Sequence, residues 1–476
     1  MRDKKEFGSV YTPIGIVREM LDICGYTSGN PDILRWNVID NSCGDGAFLT
    51  EIVRRFISAY GEGDRGTLRN LLETLIHGIE IDGEECVKCV EALDRAVADY
   101  GLDGRVKWDI RCADALTCHD FDKRMDLVIG NPPYVRIQNI KKNKELYDKI
   151  KSYSFCSKGS SDMYIAFYEL GLNMLSRNGT LCYISPTGWM KGPAGAEMRE
   201  QVRKRRLLAE VVDFGYEQVF EGSTSYVSIN RMNFRFNLGF AYSRYGSAEK
   251  HSVLYENAFI GGELYLSEPD DLRLVNEIES ARGDKYRVKN GIATLLDDFF
   301  IYDDKKGFGS LEIPALKAST GERKTCLFPH ALNGDTLPLD SIREISEPAY
   351  AYITDNRDRL EKRDYDGEWY GIGRKQGLAD MWRHKVSVNN IIRDKNDLKI
   401  NFCVAGSIVY SGYYILLDDI SEEGINGIIA ITRALTDDDF MRYVKAIGKH
   451  KSGGYYTFTA KNLQKYLNWK MGTDGK

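Results

Sequence analysis

The segment WNVIDNSCGDGAFL, residues 36–49, combines the features that decide the fold class. Trp36–Asn41 predicts a short buried strand. Gly46–Tyr60 predicts a helix, because its apolar residues recur on one face. The glycines between them let the chain turn tightly and bring its backbone close to a ligand. A strand, a glycine turn and an amphipathic helix in succession are typical of the first unit of a parallel α/β sheet.

The same alternation continues to about Gly262. The predicted strands are Leu75–Ile81, Val106–Ile110, Met125–Gly130, Thr180–Ser185, Leu208–Phe214 and Tyr226–Phe234, and the predicted helices are Glu84–Asp99 and Asp162–Leu175. Strands alternating with helices predict an α/β fold with a doubly wound, mostly parallel, Rossmann-like sheet. The pattern then becomes irregular and rich in glycine. We therefore expect two domains, 1–265 and 266–476, and the second to be mixed α+β and loop-rich.

The composition is that of an ordinary globular protein, with 476 residues, 43% hydrophobic and 28% charged. A net charge of −5 argues against a protein that coats nucleic acid over its whole surface, but it allows one basic cleft. The apolar runs are too short to span a bilayer, and the charged N-terminus does not resemble a signal peptide. Ten cysteines are expected to be reduced thiols. We expect a cytoplasmic protein with no membrane partner.

Acidic residues lie at, or just after, the ends of three successive predicted strands. Parallel sheets bind ligands beyond the carboxyl ends of their strands, and these positions are occupied by Asp40–Gly46, Glu80 and Asp114. A strand-end acid can accept hydrogen bonds from ribose hydroxyls, and a further carboxylate can accept from an exocyclic adenine amine. Each position alone is equally consistent with a plain turn or a solvated strand end. Together they predict a pocket for an adenosine that carries a charged tail.

The tetrapeptide Asn131-Pro-Pro-Tyr134 follows the fourth predicted strand. Strand termination explains one proline but not the flanking residues. The Asn131 side-chain oxygen and the Pro132 carbonyl can both accept from one planar NH2 group. Tyr134 can stack on the ring that carries this amine, an interaction worth about 1–3 kcal/mol. The pattern therefore predicts chemistry on an exocyclic amine.

With these motifs in this order, the sequence resembles the gamma-class N6-adenine DNA methyltransferases of restriction–modification systems, over roughly Gly8 to Lys465. The resemblance implies transfer of a methyl group from S-adenosylmethionine to an adenine that is flipped out of double-stranded DNA. Asn131 at the first motif position, where other enzymes have serine, favours adenine over cytosine. Two alternatives stay open: a protein glutamine N5-methyltransferase, and a catalytically inert DNA-binding specificity module.

The resemblance also assigns roles to individual residues. The cofactor-binding residues would be Thr12 (in Val10–Pro13), Asp40, Ser42, Gly44, Glu80, Ile81, Asp114 and Ala115, with Asp162–Phe167 as a helix that lines the pocket. The catalytic residues would be Asn131, Pro132 and Tyr134, with Phe220 in Val219–Tyr226 packing on the flipped base. Asn41 stands where the family usually has proline. Segments similar to the family's target-recognition domain are Val288–Thr294, Asp298–Phe300, Pro329–Asp335, Lys451–Phe458 and Lys461–Leu467.

Several further patterns have two interpretations each. Arg203–Arg206 and Lys445–Lys470 are either solvated helix ends or contacts with DNA phosphates, and Gly371–Lys375 is a candidate backbone-contacting loop. A zinc site at Cys86-x-x-Cys89 with Cys112, Cys118 and His119 is disfavoured by its helical position and spacing, so no metal is predicted. No nuclease motif is recognisable. If restriction accompanies this protein, we expect a separate restriction endonuclease to supply it.

Overall fold

The computed structural model describes residues 11–102, 105–159, 161–220, 225–283, 285–373, 377–417 and 422–473. The chain divides into two compact units, Met1–Leu272 (unit 1) and Arg273–Lys476 (unit 2). Among the helices of the described ranges, none is long and apolar enough to cross a membrane.

Unit 1 is built on a nine-stranded sheet. Its strands are β1 (Val38–Asp40), β2 (Ile76–Glu80), β3 (Asp109–Cys112), β4 (Met125–Gly130), β5 (Leu175–Pro186), β6 (Leu208–Asp213), β7 (Val227–Asn233), β8 (Gly239–Arg244) and β9 (His251–Leu254), and the short strands β10 (Phe259–Ile260) and β11 (Glu263–Leu264) form a separate hairpin. The sheet order is β3-β2-β1-β4-β5-β7-β6-β8-β9. Strands β1 to β5 pair in parallel, whereas β7 runs antiparallel to β5 and β6. The expected doubly wound, mostly parallel sheet is confirmed.

The direction of strand addition reverses between β1 and β4. From β1 the chain proceeds outward to β2 and β3, and it then returns to place β4 on the other side of β1. Ligands of open parallel sheets bind at such a reversal, where the loops leaving two neighbouring strands diverge. The topology therefore places the residues after β1 and β4 at the position where a ligand crevice is expected.

Helices flank the sheet of unit 1. They are α1 (Ile14–Ile23), α2 (Ala47–Tyr60), α3 (Arg65–Leu75), α4 (Gly83–Ala98), α5 (Ile137–Ile140), α6 (Lys144–Ser152), α7 (Met163–Met174), α8 (Gly188–Lys191), α9 (Ala196–Arg205) and α10 (Tyr255–Ala258). The apolar face predicted for α2 is buried in the core, with Leu49, Ile52 and Phe56 fully covered. Asp82 begins α4 by accepting from the Glu84 amide at 2.8 Å. These helices fix the loops that leave the strands.

The predicted bounds of one strand in unit 1 were wrong. The third strand is Asp109–Cys112, not Val106–Ile110, because the apolar Val106 is buried outside the ladder. The strand register is reinforced where Asp109 contacts His77 Nδ1 at 2.8 Å. Helix α3, which was not predicted, begins after Asp64, whose side chain caps it by accepting from the Thr67 amide. Its Leu68, Leu71, Leu72 and Leu75 recur at helical spacing, so periodicity could have revealed it.

Unit 2 is mixed α+β, as expected. Its strands are β12 (Val288–Asn290), β13 (Ile301–Tyr302), β14 (Glu312–Lys317), β15 (Arg323–Leu327), β16 (Lys385–Val388), β17 (Ile391–Ile392), β18 (Ile400–Cys403), β19 (Ile408–Tyr410), β20 (Tyr413–Leu416), β21 (His450–Lys451) and β22 (Tyr455–Thr457). They form three sheets in the orders β12-β20-β16-β18, β13-β15-β14-β19 and β17-β22-β21.

The helices of unit 2 surround these sheets. They are α11 (Pro269–Ser280), which spans the division between the units, α12 (Asp297–Phe300), α13 (Leu339–Ile345), α14 (Glu347–Asp355), α15 (Arg357–Glu361), α16 (Glu422–Thr436), α17 (Asp438–Ala446) and α18 (Ala460–Thr473). A separate hydrophobic core, centred on Phe299, Phe300 and Leu327, stabilises the first part of this unit.

Candidate active site

A cavity of about 690 Å³ lies beyond the carboxyl ends of β1 to β4. Its wall is formed by the segments that leave these four strands: Asp40–Asp45, Glu80 with Ile81, Ala113–Leu116, and Asn131 with Pro133. Thr12, Met163 and Phe167 also line it. The size is typical of a small-molecule site. The structure thus brings to one cavity the strand-end residues that the sequence presents far apart.

The glycine loop after β1 orients the carboxylate of Glu80. Gly44 adopts φ +52°, and its amide donates to Glu80 Oε2 at 3.0 Å. Glu80 Oε1 accepts from the amides of Ile81 and Asp82, each at 2.9 Å. A Cβ added at Gly44 would meet nothing within 4 Å, so the loop backbone borders open space. Three backbone donors therefore hold this carboxylate at the cavity wall.

Asp40 is a buried acid at the base of the cavity. It is 2% exposed, and its Oδ1 accepts from the Ser42 amide at 3.0 Å. Burial, together with the neighbouring Glu80 and Asp45 carboxylates, raises the pKa of the Asp40 carboxyl to about 8. A Cβ at Gly130 would stand 2.5 Å from Asp40 Oδ1. Only glycine at the end of β4 leaves room for this carboxyl group.

Asp114 already has two partners. Its Oδ1 accepts from the Leu116 amide at 3.0 Å, and its Oδ2 lies 3.2 Å from Lys149 Nζ of helix α6. Lys149 also contacts Glu145 at 2.9 Å, so the ammonium has an alternative partner on its own helix. Sequence reasoning missed Lys149, because nothing local to α6 indicates a contact with a loop 35 residues away.

The Asn131 amide is held by residues from two other segments. Its Nδ2 donates to Thr12 Oγ1 at 3.1 Å, and its main-chain oxygen accepts from Ser42 Oγ at 3.3 Å. These bonds join the segment before α1, the loop after β1 and the tetrapeptide. They fix the position of Asn131 at the edge of the cavity. Val10, which belongs to the predicted motif with Thr12, lies outside the described residues.

The tetrapeptide contributes to two neighbouring cavities. Asn131 and Pro133 line the large cavity, whereas Tyr134 lines a recess of about 300 Å³. The other residues of this recess are Arg136, Asp162, Tyr164, Pro186, Thr187, Gly188, Ser225 and Tyr226. Pro132, a predicted catalytic residue, is buried and belongs to the lining of neither cavity. Tyr134 donates from its hydroxyl to the Ile184 carbonyl at 3.3 Å, and burial raises the pKa of this phenol.

Phe220 packs behind Tyr134. The two ring centroids lie 6.1 Å apart at 66°, an edge-to-face arrangement, and Phe220 is 4% exposed. Phe220 therefore stands beside Tyr134, as a buried support, and the lining of the recess does not include it. Residues 221–224 of the same predicted motif lie outside the described residues.

The Asn41 side chain is hydrogen-bonded inside the protein core. Its Oδ1 accepts from the Tyr183 hydroxyl at 2.8 Å, and the residue is buried. The two residues are 142 positions apart in the chain. Asn41 is thus a packed polar contact at the position where the resembled family usually has proline.

The predicted basic stretches are partly neutralised within their own units. Lys465 contacts Glu279 at 2.5 Å, and Lys470 contacts Asp437 and Asp439 at 3.2 and 3.1 Å. Lys449 of the same stretch contacts the Asn462 side chain. The remaining lysines of the stretch, Lys445, Lys451 and Lys461, are exposed. In unit 1, Arg203 pairs with Glu200 at 3.2 Å. Arg374 and Lys375 of the predicted loop lie outside the described residues.

Comparison with known proteins identifies similar sequences. A family model described as Eco57I restriction-modification methylase matches residues 80–220, a segment that contains Glu80, Asp114 and the tetrapeptide. The chain is 24% identical over 363 residues to the type II restriction enzyme and methyltransferase RM.Eco57I of Escherichia coli, covering 62% of this chain and 36% of that protein. It is 30% identical over 233 residues to the type II methyltransferase M.BstVI of Geobacillus stearothermophilus, covering 47% and 41%. The aligned regions span less than half the length of these relatives.

Two solved structures share the fold. The type IIL restriction-modification enzyme MmeI in complex with DNA matches with a TM-score of 0.59 and 12% identity, covering 94% of this chain and 65% of that chain. A DrdV–DNA complex matches with a TM-score of 0.50 and 13% identity, covering 94% and 54%. The chain is therefore similar to restriction–modification methyltransferases in sequence, around the cavity, and in fold.

Proposed function

We propose that this chain is a site-specific DNA adenine N6-methyltransferase that uses S-adenosylmethionine and acts within a restriction–modification system. One observation carries the proposal: a single cavity is bounded by Asp40, Glu80, Asp114 and Asn131 at the strand ends of a doubly wound sheet. The family match over residues 80–220 and the resemblance of the tetrapeptide support it.

The residues around the cavity fit S-adenosylmethionine. Glu80, oriented by three backbone donors, would accept from the ribose hydroxyls, and Asp114 would accept from the adenine amine once Lys149 turns to Glu145. Asp40 and Thr12 would hold the charged methionine end. The open space beside the Gly44 backbone would leave room for this end of the ligand. When bound, the cofactor supplies an electrophilic methyl group on a sulfonium.

Asn131 and Pro132 would orient the adenine amine. The Asn131 amide donates from Nδ2 to Thr12, which leaves Oδ1 as its acceptor end. The Pro132 carbonyl would be the second acceptor. Two bonds to one planar NH2 group pull its nitrogen toward a tetrahedral shape and localise its lone pair. The attacking amine is neutral, and its proton leaves after the transfer. Positioning therefore dominates catalysis.

The recess beside Tyr134 is the proposed position of the extruded base. A base inside a duplex cannot reach the cavity, so it must be flipped out at a cost of a few kcal/mol. Stacking on an aromatic ring offsets about 1–3 kcal/mol of that cost. Phe220 supports the Tyr134 ring from behind. Tyr134 and the Asn131 amide would thus hold the ring and the amine of one base.

We assign target recognition to the second domain, 266–476, and restriction to a separate endonuclease. Within the proposed recognition domain, the exposed Lys445, Lys451 and Lys461 are the members of the basic stretch left to contact DNA phosphates. Lys465 and Lys470 form ion pairs with carboxylates, so they are expected to contribute less to DNA binding.

Transfer of radiolabelled methyl groups tests the proposal. The full chain is incubated with labelled S-adenosylmethionine and either duplex DNA or a bacterial protein extract. We expect label in DNA, recovered as N6-methyladenine after digestion to nucleosides. Label in protein would favour the glutamine methyltransferase. Tight DNA binding without any transfer would favour the inert specificity module.

A further inference from the structure

Helix α4 carries two thiols that face thiols on two different strand-end loops. Cys86 and Cys89 are three positions apart, so they lie on one face of the helix. The Cys86 thiol lies within hydrogen-bonding reach of the thiol of Cys112, at the end of β3. The Cys89 thiol lies within the same reach of Cys43, in the glycine loop. Within the described ranges, no three His, Cys, Asp or Glu side chains are grouped so that they could hold a metal ion. The arrangement is therefore two separate thiol pairs.

Cys86 and Cys112 both lie next to the main chain of Glu80. Cys112 is the register partner of Glu80 in the β2–β3 ladder. Cys86 Sγ lies 3.5 Å from the Glu80 carbonyl oxygen. A Cβ added at Gly83, in the first turn of α4, would stand 3.7 Å from Cys112 Sγ. Both thiols thus lie directly beside the residue that we assign to the ribose hydroxyls.

The two pairs differ in accessibility. Cys112 is exposed, whereas Cys43 and Cys89 are both buried. A Cβ at Gly46 would stand 2.9 Å from Cys89 Sγ, so the loop closes tightly over the inner pair. A dissolved reagent can reach Cys112 but not the inner pair. The inner pair is therefore an internal control for any reaction of the outer pair.

We propose that Cys86 and Cys112 form a thiol modification site, which closes to a disulfide by exchange with a small disulfide such as glutathione disulfide and thereby weakens ligand binding in the adjacent cavity. The first half of this proposal depends only on the thiol geometry. The second half rests on the proposed function, because it assigns Glu80 to the cofactor.

The exchange balances in two steps. The Cys112 thiolate attacks one sulfur of glutathione disulfide, forming a mixed disulfide and expelling one glutathione thiolate. Cys86 then attacks the Cys112 sulfur, forming the protein disulfide and expelling the second glutathione thiolate. The two protein thiols are oxidised, glutathione disulfide is reduced by two electrons, and the two thiol protons pass to the released thiolates. Cys112 makes the first attack because it is the exposed member of the pair, whereas burial raises the pKa of the Cys86 thiol to about 12 and disfavours its thiolate.

Closure of the disulfide would disturb Glu80 through its main chain. The Glu80 carbonyl accepts from the Ala113 amide at 2.9 Å as well as from Cys86. A disulfide bond of about 2.05 Å draws the two sulfurs closer than any non-bonded contact. The start of α4, where Asp82 donates its amide to Glu80 Oε1, would move with Cys86. The carboxylate would then lose part of its orientation toward the cavity.

Peptide mapping tests the first half of the proposal. The full chain is equilibrated with glutathione disulfide, alkylated, digested without reductant and analysed by mass spectrometry. We expect a peptide containing Cys86 linked to Cys112, with Cys43 and Cys89 recovered as alkylated thiols only after unfolding. The Cys112→Ser variant should lack the linked peptide. The Cys118→Ser variant, six residues away and partly exposed, is the matched control and should retain it. Cys112 recovered unmodified, or only as a glutathione mixed disulfide, would overturn the assignment.

Calorimetry with S-adenosylhomocysteine tests the second half. Oxidised wild type should bind about tenfold more weakly than reduced protein, the loss expected from one hydrogen bond to a charged group, and dithiothreitol should restore the affinity. The affinity of Cys112→Ser should not change on treatment with glutathione disulfide. A complete Cys86–Cys112 disulfide with unchanged affinity would refute the coupling. If the reduced wild type does not bind at all, the proposed function fails, whereas the peptide map still decides whether the disulfide forms.

Discussion

Asp40→Asn is the perturbation whose effect follows most directly from the structure. The buried Asp40 carboxyl has its pKa raised from 3.8 to about 8, whereas the unfolded chain ionises at the ordinary value. Between these two pH values the folded state holds one more proton than the unfolded state, so stability falls as pH rises from about 4 to about 8. Since one pKa unit corresponds to about 1.4 kcal/mol, the loss at pH 8 is roughly 5 kcal/mol.

The side-chain amide that this variant introduces would have no such ionisation, and its oxygen could still accept from the Ser42 amide. We therefore expect the variant to melt only a few degrees above wild type at pH 5, where roughly 1.5 kcal/mol of the loss has accrued. At pH 8 the variant should melt about 10 °C or more above wild type, because 1 kcal/mol shifts a domain of this size by roughly 2–4 °C. Differential scanning calorimetry at both pH values measures the gap. Asp148→Asn, on the exposed face of α6, is the matched control and should follow wild type. An equal gap at both pH values would refute the reasoning.

Three further substitutions test the site. Lys149→Met frees Asp114 Oδ2 and should tighten S-adenosylhomocysteine binding up to about fivefold in calorimetry, the value of a partly exposed ion pair, while Lys144→Met on the same helix should change nothing. Glu80→Ala should weaken the same ligand about 10- to 100-fold, because hydrogen bonds to a charged group are lost; unchanged affinity would remove Glu80 from the site. Gly130→Ala places a Cβ 2.5 Å from Asp40 Oδ1 and should cost about 1–3 kcal/mol in denaturant unfolding; an unaltered midpoint would contradict this steric conflict.

The part of the site that lies directly after strands could be predicted from the sequence. The strand at Met125–Gly130 has the predicted bounds, and Glu80 ends β2 as expected. This succeeded because parallel strands place their carboxyl ends at one edge, so sequence order translates into proximity without further information. Helix α2 could be predicted from the periodicity of its apolar residues, because its apolar face is wide and regular.

Contacts between distant segments could not be predicted. Tyr183 and Asn41, or Lys465 and Glu279, are 142 and 186 positions apart, and neither residue type indicates its partner. The acids that neutralise Lys465 and Lys470 lie on other helices, so an acid-free stretch of sequence became a partly neutral surface. Tyr134 likewise lines a different recess from Asn131, although only three positions separate them, because the prolines turn the chain between them.

Asn131 is proposed to orient the exocyclic amine of the target adenine for methyl transfer, and not to bind the cofactor. Single-turnover transfer to duplex DNA by the Asn131→Ala variant, with cofactor affinity measured on the same preparation, tests it most directly. We predict a rate about 10²- to 10³-fold below wild type with unchanged affinity, as when one preorganised hydrogen-bonding group of an active site is removed. A wild-type rate, or a loss of affinity as large as the loss of rate, would contradict the account.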